Sequence, residues 1–93
     1  MPKSWVYHPV IPQYEALLLY NVLQRHNDPF DYYPVAFAKR EEAGMRYRFI
    51  CIARSKSEPL QDTHFTGIEI YKPTTGMPYA TCLHKFEFSH IWQ

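Results

Sequence analysis

Two adjacent carboxylates, Glu41 and Glu42, stand before the Ala43-Gly44 step in the stretch KREEAGMRYRFICIA, residues 39–53. A pair of carboxylates can act as general acid and general base when both reach one substrate and their surroundings separate their pKa values. Neighbouring residues in a turn rarely converge on one atom, and nothing near them in the sequence would raise a pKa. The sequence therefore favours a solvated hairpin tip over a catalytic pair.

A second candidate group combines histidines with a cysteine. Five histidines are scattered along the chain, and His64, Cys82 and His84 fall on segments that would form adjacent strands. Such a group would bind a metal ion or form a Cys–His nucleophile pair, but both kinds of site need a further partner that the sequence does not supply. Surface or hydrogen-bonded sheet histidines are the simpler interpretation. A small enzyme with its site on an open sheet face remains a third functional class.

Aromatic and basic residues alternate along the same segments. The set consists of Tyr47, Phe49, Phe65 and Tyr71 with Arg46, Arg48 and Lys72. Such alternation also occurs in platforms that bind single-stranded nucleic acid by base stacking. The formal net charge is only +1, from 10 basic and 9 acidic residues, whereas a nucleic-acid binder concentrates basic charge on one face. Core packing is favoured, and no nucleic-acid partner is expected.

The composition indicates a small folded protein. The chain has 93 residues, of which 46% are hydrophobic and 17% aromatic, so we expect a single domain over residues 1–93. Pro9 and Pro12 interrupt the apolar residues of the N-terminus, which argues against a signal peptide. No run approaches the ~18 apolar residues of a membrane span, so no membrane partner is expected.

The cysteines and the absence of common motifs narrow the function further. Cys51 and Cys82 lie in strand-like runs without C-x-x-C spacing, which predicts free, buried thiols in a reducing compartment such as the cytoplasm. A single disulfide between them is the alternative. The sequence has no P-loop, G-x-G-x-x-G, H-E-x-x-H or G-x-S-x-G motif. We therefore expect no cofactor and no enzymatic activity.

One helix and four strands would position these residues. Residues 1–11 contain prolines and predict an extended N-terminal segment. Pro12 then opens PQYEALLLYNVLQRHND, which predicts a helix of about fifteen residues with Glu15 in its first turn. This helix is apolar on most sides, so we expect it to be largely covered.

Strand-like segments follow the helix. They are YYPVAFAKR, MRYRFICIAR, THFTGIEIYK and ATCLHKFEF. The second alternates, which puts Tyr47, Phe49, Cys51 and Ala53 on one face and Arg48, Ile50 and Ile52 on the other. Gly67 in the third indicates a bulge. Because tight turns join antiparallel neighbours, we expect an α+β domain in which an antiparallel sheet of four to five strands wraps one N-terminal helix.

This order of elements resembles the cystatin family, and its short intracellular members, the stefins, in particular. The family's first hairpin carries Q-V-V-A-G, for which this chain has REEAG, residues 40–44, followed by YRFICIA. The second hairpin, K-x-x-P-G, is similar to YKPTTGMPY, and the helix opening P-E-I-x-x-I-V is similar to IPQYEALL. The likeness spans about residues 10–90 and implies the cystatin fold.

The resemblance implies an inhibitor of papain-like cysteine proteases that blocks the active-site cleft with its N-terminal segment and two hairpin tips. The residues that would bind the protease are Ser4, Trp5, Arg40, Glu41, Glu42, Ala43, Gly44, Thr75, Gly76, Met77, Pro78 and Tyr79. The chain departs from the family at two points, since Glu41 and Glu42 replace two valines and Ser4 and Trp5 replace a glycine. Burying two carboxylates is costly unless a cation meets them, so the target cleft is basic or the tip is used differently.

The alternative is an interaction module with the cystatin fold that has no protease target. A homodimer is one form that such a module takes. We expect Ile50, Ile52 and either Ile68 or Ile70 on the second face of the sheet. Exposed β-branched side chains on adjacent strands would form an apolar patch of the kind that marks protein–protein contacts.

Overall fold

The computed structural model describes residues 5–25, 28–58 and 60–86, with only the backbone of residues 84–86. These parts of the chain contain one helix, α1, and four strands, β1 to β4. Their bounds are Gln13–Leu23 for α1, Phe30–Glu41 for β1, Gly44–Ser55 for β2, Thr63–Pro73 for β3 and Tyr79–Phe86 for β4. The strands pair antiparallel in chain order. The predicted α+β class with an antiparallel sheet is confirmed.

Helix α1 begins directly after Pro12, which has an extended backbone and lacks the N–H group that a first turn leaves unpaired. It has 11 residues, fewer than predicted. Leu18, Leu19 and Val22 pack on the sheet, whereas the exposed face carries Tyr14, Leu17 and Tyr20. The expectation that the helix is covered on most sides is therefore wrong, because the sheet covers one face only. Among the described residues, no helix is long and apolar enough to cross a membrane.

The core lies between α1 and one face of the sheet. The alternation predicted for β2 is confirmed, since Tyr47, Phe49, Cys51 and Ala53 are buried on the helix side. The placement of Ile68 or Ile70 on the second face is wrong, because both side chains are fully buried in the core. They lie opposite Phe49 and Tyr47 in the β2–β3 register, and residues paired across two strands share a face.

The pairing of the strands is irregular at two places, one between β1 and β2 and one between β3 and β4, and neither is at Gly67. Gly67 pairs continuously with Ile50, so the bulge predicted there is wrong. The register shifts instead between Pro34 and Ala36, on the edge strand β1, and between residues 69 and 70 of β3. A proline is tolerated at such an edge because its missing N–H breaks no inner ladder.

The N-terminal segment adds to the outer edge of β1. The backbones of His8 and Phe37 exchange two hydrogen bonds of 2.7 and 3.0 Å as an isolated antiparallel bridge. Their rings lie 5.7 Å apart. The described sheet thus has four full strands and one bridged segment.

Candidate functional site

The two hairpin tips lie next to each other at one end of the sheet. We call residues 40–44 the first tip and residues 74–79 the second tip. Gly44, which begins β2, pairs with Pro73, which ends β3, so the antiparallel ladder itself brings the tips together. Between them is a shallow cavity of about 320 Å³, the inter-tip groove. Its lining consists of Glu41, Gly44, Met45, Lys72, Pro73 and Thr74.

The first tip is a tight turn with left-handed backbone. Ala43 has φ of 49° and Gly44 has φ of 124°, values that L-residues with a side chain rarely adopt. The Tyr71 hydroxyl donates a hydrogen bond to the Ala43 carbonyl oxygen. A side chain of the neighbouring strand thus supports the strained turn, and the Ala-Gly step shapes it as the sequence indicated.

The second tip is tied to the end of the helix. Arg25 donates a hydrogen bond from Nη1 to the Pro78 carbonyl oxygen at 2.6 Å. Gly76 supplies the positive φ of 110° that the turn requires. Met77 is 67% exposed and Tyr79 is 50% exposed. The turn is therefore anchored at its base and presents apolar side chains to solvent.

Alternating charges connect the first tip to the outer face of the sheet, the face opposite α1. Glu42 Oε2 lies 2.7 Å from Arg40 Nη2 and 3.4 Å from Arg46 Nε. Glu69 continues the series, with one oxygen 3.6 Å from Arg46 Nη1 and the other 3.0 Å from Arg48 Nε. We call these five residues the Arg–Glu ladder. It cross-links β1, β2 and β3 on the face that the helix does not cover.

The N-terminal segment is held on this ladder by an aromatic ring. Because the His8 bridge is antiparallel, Trp5 lies alongside Arg40. The guanidinium carbons of Arg40 and Arg48 stand 4.7 and 4.2 Å from the centre of the Trp5 ring. Cation–π contacts of this kind contribute about 0.5–1 kcal/mol each at exposed sites. Trp5 therefore joins the N-terminal segment to the same end of the sheet as the tips.

The ladder lowers the pKa of its two carboxyl groups. Partial burial acts to raise the pKa of Glu69, but hydrogen bonds from Arg48 and Thr81 and the positive charges of Arg48 and Arg46 outweigh it. The pKa of Glu42 is lowered mainly by the hydrogen bond from Arg40. Both groups are therefore ionised at neutral pH, as an ion-pair ladder requires.

We expect a Glu69→Gln variant to unfold more easily at pH 7 and to lose this difference in acid. A carboxyl group with a lowered pKa in the folded state stabilises the fold above its unfolded pKa of about 4.3, and the effect disappears as pH falls through the folded value. At pH 7 the free energy of unfolding should drop by about 1 kcal/mol, since the pair is partly exposed. Urea unfolding at pH 7 and pH 3 measures both values.

Glu58→Gln is the matched control for this prediction. The Glu58 side chain is exposed and has no ion pair among the described residues. The Glu58→Gln substitution should change the free energy of unfolding by less than about 0.5 kcal/mol at either pH. Equal effects of the two substitutions at pH 7 would show that the ladder does not stabilise the fold.

The residues singled out from the sequence as partner-binding gather at this end of the sheet, with one exception. Those in place are Trp5, Arg40, Glu41, Glu42, Ala43, Gly44, Thr75, Gly76, Met77, Pro78 and Tyr79. Ser4 lies outside the described residues. Their role in binding a partner stays a prediction.

The backbone register does not set the members of the histidine–cysteine group opposite one another. His84 pairs with Gly67 and Cys82 pairs with Glu69, so neither lies across from His64. His64 Nδ1 lies 2.9 Å from Asp62 Oδ1. Within the described ranges, no three His, Cys, Asp or Glu side chains are close enough to hold a metal ion.

The two thiols have different surroundings. Both are free cysteines, Cys51 buried and Cys82 exposed, so the prediction of buried thiols is wrong for Cys82. Burial raises the pKa of the Cys51 thiol to about 12. This thiol stays protonated at neutral pH, which is unsuitable for a nucleophile.

The structure separates two aromatic residues of the supposed nucleic-acid platform from its arginines. A third, Tyr71, is not in the core, because it pairs with Arg46 across β2 and β3 and its ring centre lies 4.8 Å from the Arg46 guanidinium carbon. Tyr47 and Phe49 face the helix, whereas Arg46 and Arg48 lie on the outer face and pair with Glu69. The preference for core packing is confirmed for these two aromatic residues.

Sequence reasoning missed Glu69, and it did not assign to Tyr71, Arg46 and Arg48 their role in supporting the tips. The signal was present in the period-two spacing of Arg46 and Arg48, which puts both on the face opposite Tyr47 and Phe49. Their partners on β3 could not be assigned, since they depend on the register between β2 and β3.

Comparison with protein-family models, with curated proteins and with solved structures gave no match. The function is therefore proposed from the geometry of the residues.

Proposed function

We propose that this chain is a cystatin-like inhibitor of papain-like cysteine proteases that acts in the cytoplasm. The observation that supports the proposal most is the meeting of three segments at one end of the sheet. The two tips pair through Gly44 and Pro73, and Trp5 holds the N-terminal segment beside Arg40. A wedge that enters a cleft needs its inserting segments side by side in this way.

The support of the tips is consistent with tight binding. The first tip is braced by Tyr71 and the second by Arg25. Segments that are already ordered lose little conformational entropy on binding. The carboxylate of Glu42 also meets cations of its own chain, which reduces the cost of bringing the first tip into a cleft.

We expect the wild-type chain to inhibit papain with a Kd below about 1 µM. A Met77→Asp variant should raise this Kd at least about tenfold, because the second tip would carry an unpaired charge into the cleft. The measurement is steady-state inhibition of papain on a peptide substrate. Leu60→Asp is the matched control, since Leu60 is 95% exposed and belongs to the loop between β2 and β3, away from both tips.

Mass spectrometry of the chain after incubation distinguishes an inhibitor from a competing substrate, because an inhibitor of this type remains intact. A folded wild-type chain that leaves papain and a panel of cathepsins fully active at about 10 µM would contradict the proposal. Equal loss of inhibition in Met77→Asp and Leu60→Asp would contradict the assignment of the second tip.

A second candidate function is an interaction module without a protease target. It is favoured by an apolar depression elsewhere on the sheet, lined by Tyr33, Ile52 and Leu60 together with Arg54 and Thr63. The patch is smaller than the sequence suggested, because Ile68 and Ile70 belong to the core. If the patch joins two copies, sedimentation of the wild-type chain will show a dimer that Leu60→Asp abolishes.

A further inference from the structure

We propose that the inter-tip groove receives a lysine or arginine side chain of the partner, and that Glu41 recognises its positive charge. This inference rests on one part of the proposed function, namely that the partner is a protein that contacts the two tips. It adds the chemistry of the contact, which the wedge arrangement alone does not specify.

The two adjacent carboxylates of the first tip have different surroundings. Glu42 turns to the outer face, where it pairs with Arg40 and Arg46. Oε2 of Glu42 therefore meets both arginines within the chain, and Glu42 is part of the scaffold of the tip.

Glu41 lies on the other side of the strand. It pairs with Met45 in the β1–β2 register, so its side chain shares the helix-side face with the Met45 side chain. Glu41 is exposed and makes no ion pair within the described part of the chain. Glu41 is one of the residues that line the inter-tip groove. A carboxylate in this position is available to a cation from outside.

The other walls of the groove fit a long basic side chain. Met45 and Pro73 provide apolar surface, on which the methylene stem of a lysine or arginine can lie while its charged end reaches the carboxylate. The cation of the groove itself is engaged elsewhere, because Lys72 Nζ donates to the Tyr14 hydroxyl and stands 5.2 Å from the centre of the Tyr14 ring.

A blocked tripeptide, acetyl-Gly-Arg-Gly-amide, tests the groove without any protease. Its neutral counterpart contains citrulline, which has almost the same shape as arginine. In a titration followed by backbone amide chemical shifts, we expect the arginine peptide to shift the amides of Glu41, Gly44 and Met45 with a Kd on the order of 1 mM. The citrulline peptide should bind at least about fivefold more weakly.

Two matched variants locate the contact. Glu41→Gln should raise the Kd of the arginine peptide about fivefold, whereas Glu42→Gln should change it less than about twofold. Unchanged binding to Glu41→Gln, equal binding of the two peptides, or equal shifts at the exposed residues Asp31 and Glu58 would overturn the inference. The peptide titration contains no protease, so it tests the groove separately from the proposed function. If the chain binds the arginine peptide but leaves papain active, the inference about the groove stands and the proposed function is contradicted.

Discussion

A Gly44→Ala variant is expected to lose about 3 kcal/mol or more of its free energy of unfolding. Two effects add at this position. Gly44 has φ of 124°, which an alanine adopts only with strain. A β-carbon would also overlap the Lys72 carbonyl oxygen and lie 3.0 Å from Pro73 Cα. Both atoms belong to the backbone of β3 and cannot rotate away. Urea unfolding followed by circular dichroism measures the loss.

Gly76→Ala is the control that separates the two effects. Gly76 has a similar φ of 110°, but its added β-carbon would meet only the Pro73 side chain, at 3.5 Å. Only the strain of the backbone then remains, about 1–2 kcal/mol. Equal losses in the two variants would show that β2 and β3 do not approach each other closely at the tips.

The same pair of variants bears on the proposed function. Because Gly44 lets the first tip rest directly against β3, an alanine there would displace the first tip from the second. We expect the folded fraction of Gly44→Ala to inhibit papain more weakly than Gly76→Ala does. Its backbone amide shifts should move on both sides of the inter-tip groove.

An Ile68→Ala variant is expected to lose about 2–5 kcal/mol of its free energy of unfolding. The Ile68 side chain is fully buried and lies opposite Phe49, in the core beneath α1. Alanine would leave a cavity that the neighbouring side chains fill only in part. Since small domains have about 5–15 kcal/mol in all, the variant should approach the limit of stable folding. Urea unfolding at 25 °C gives the value.

Ile50→Ala carries the same substitution on the opposite face and serves as the control. Ile50 is only half-buried, and the residues across from it are Ala36 on β1 and Gly67 on β3, which offer little or no side chain to pack against. The loss should be less than about 2 kcal/mol. A larger loss at Ile50 than at Ile68 would mean that the core lies on the other face of the sheet.

Local sequence signals were sufficient to predict the elements. Pro12 marks the start of the helix. The period-two pattern of β2 assigns Phe49 to the buried face of the sheet and Ile50 to the opposite face. The Ala43-Gly44 step marks the first hairpin. These features depend on the conformational preferences of residues that are close in sequence, and short connections then allow only antiparallel pairing. The order of the strands follows directly.

Tertiary structure alone decided which residues meet. In β3 both faces carry apolar residues, so the pattern could not tell that Ile68 belongs to the core, and only the register with β2 and the packing of α1 settle it. The same holds for the acidic pair. Glu41 and Glu42 are equivalent as sequence, but pairing across strands gives Glu42 two arginines and leaves Glu41 at the groove. Such contacts join residues far apart in the chain, and their energies depend on distances that no local preference fixes.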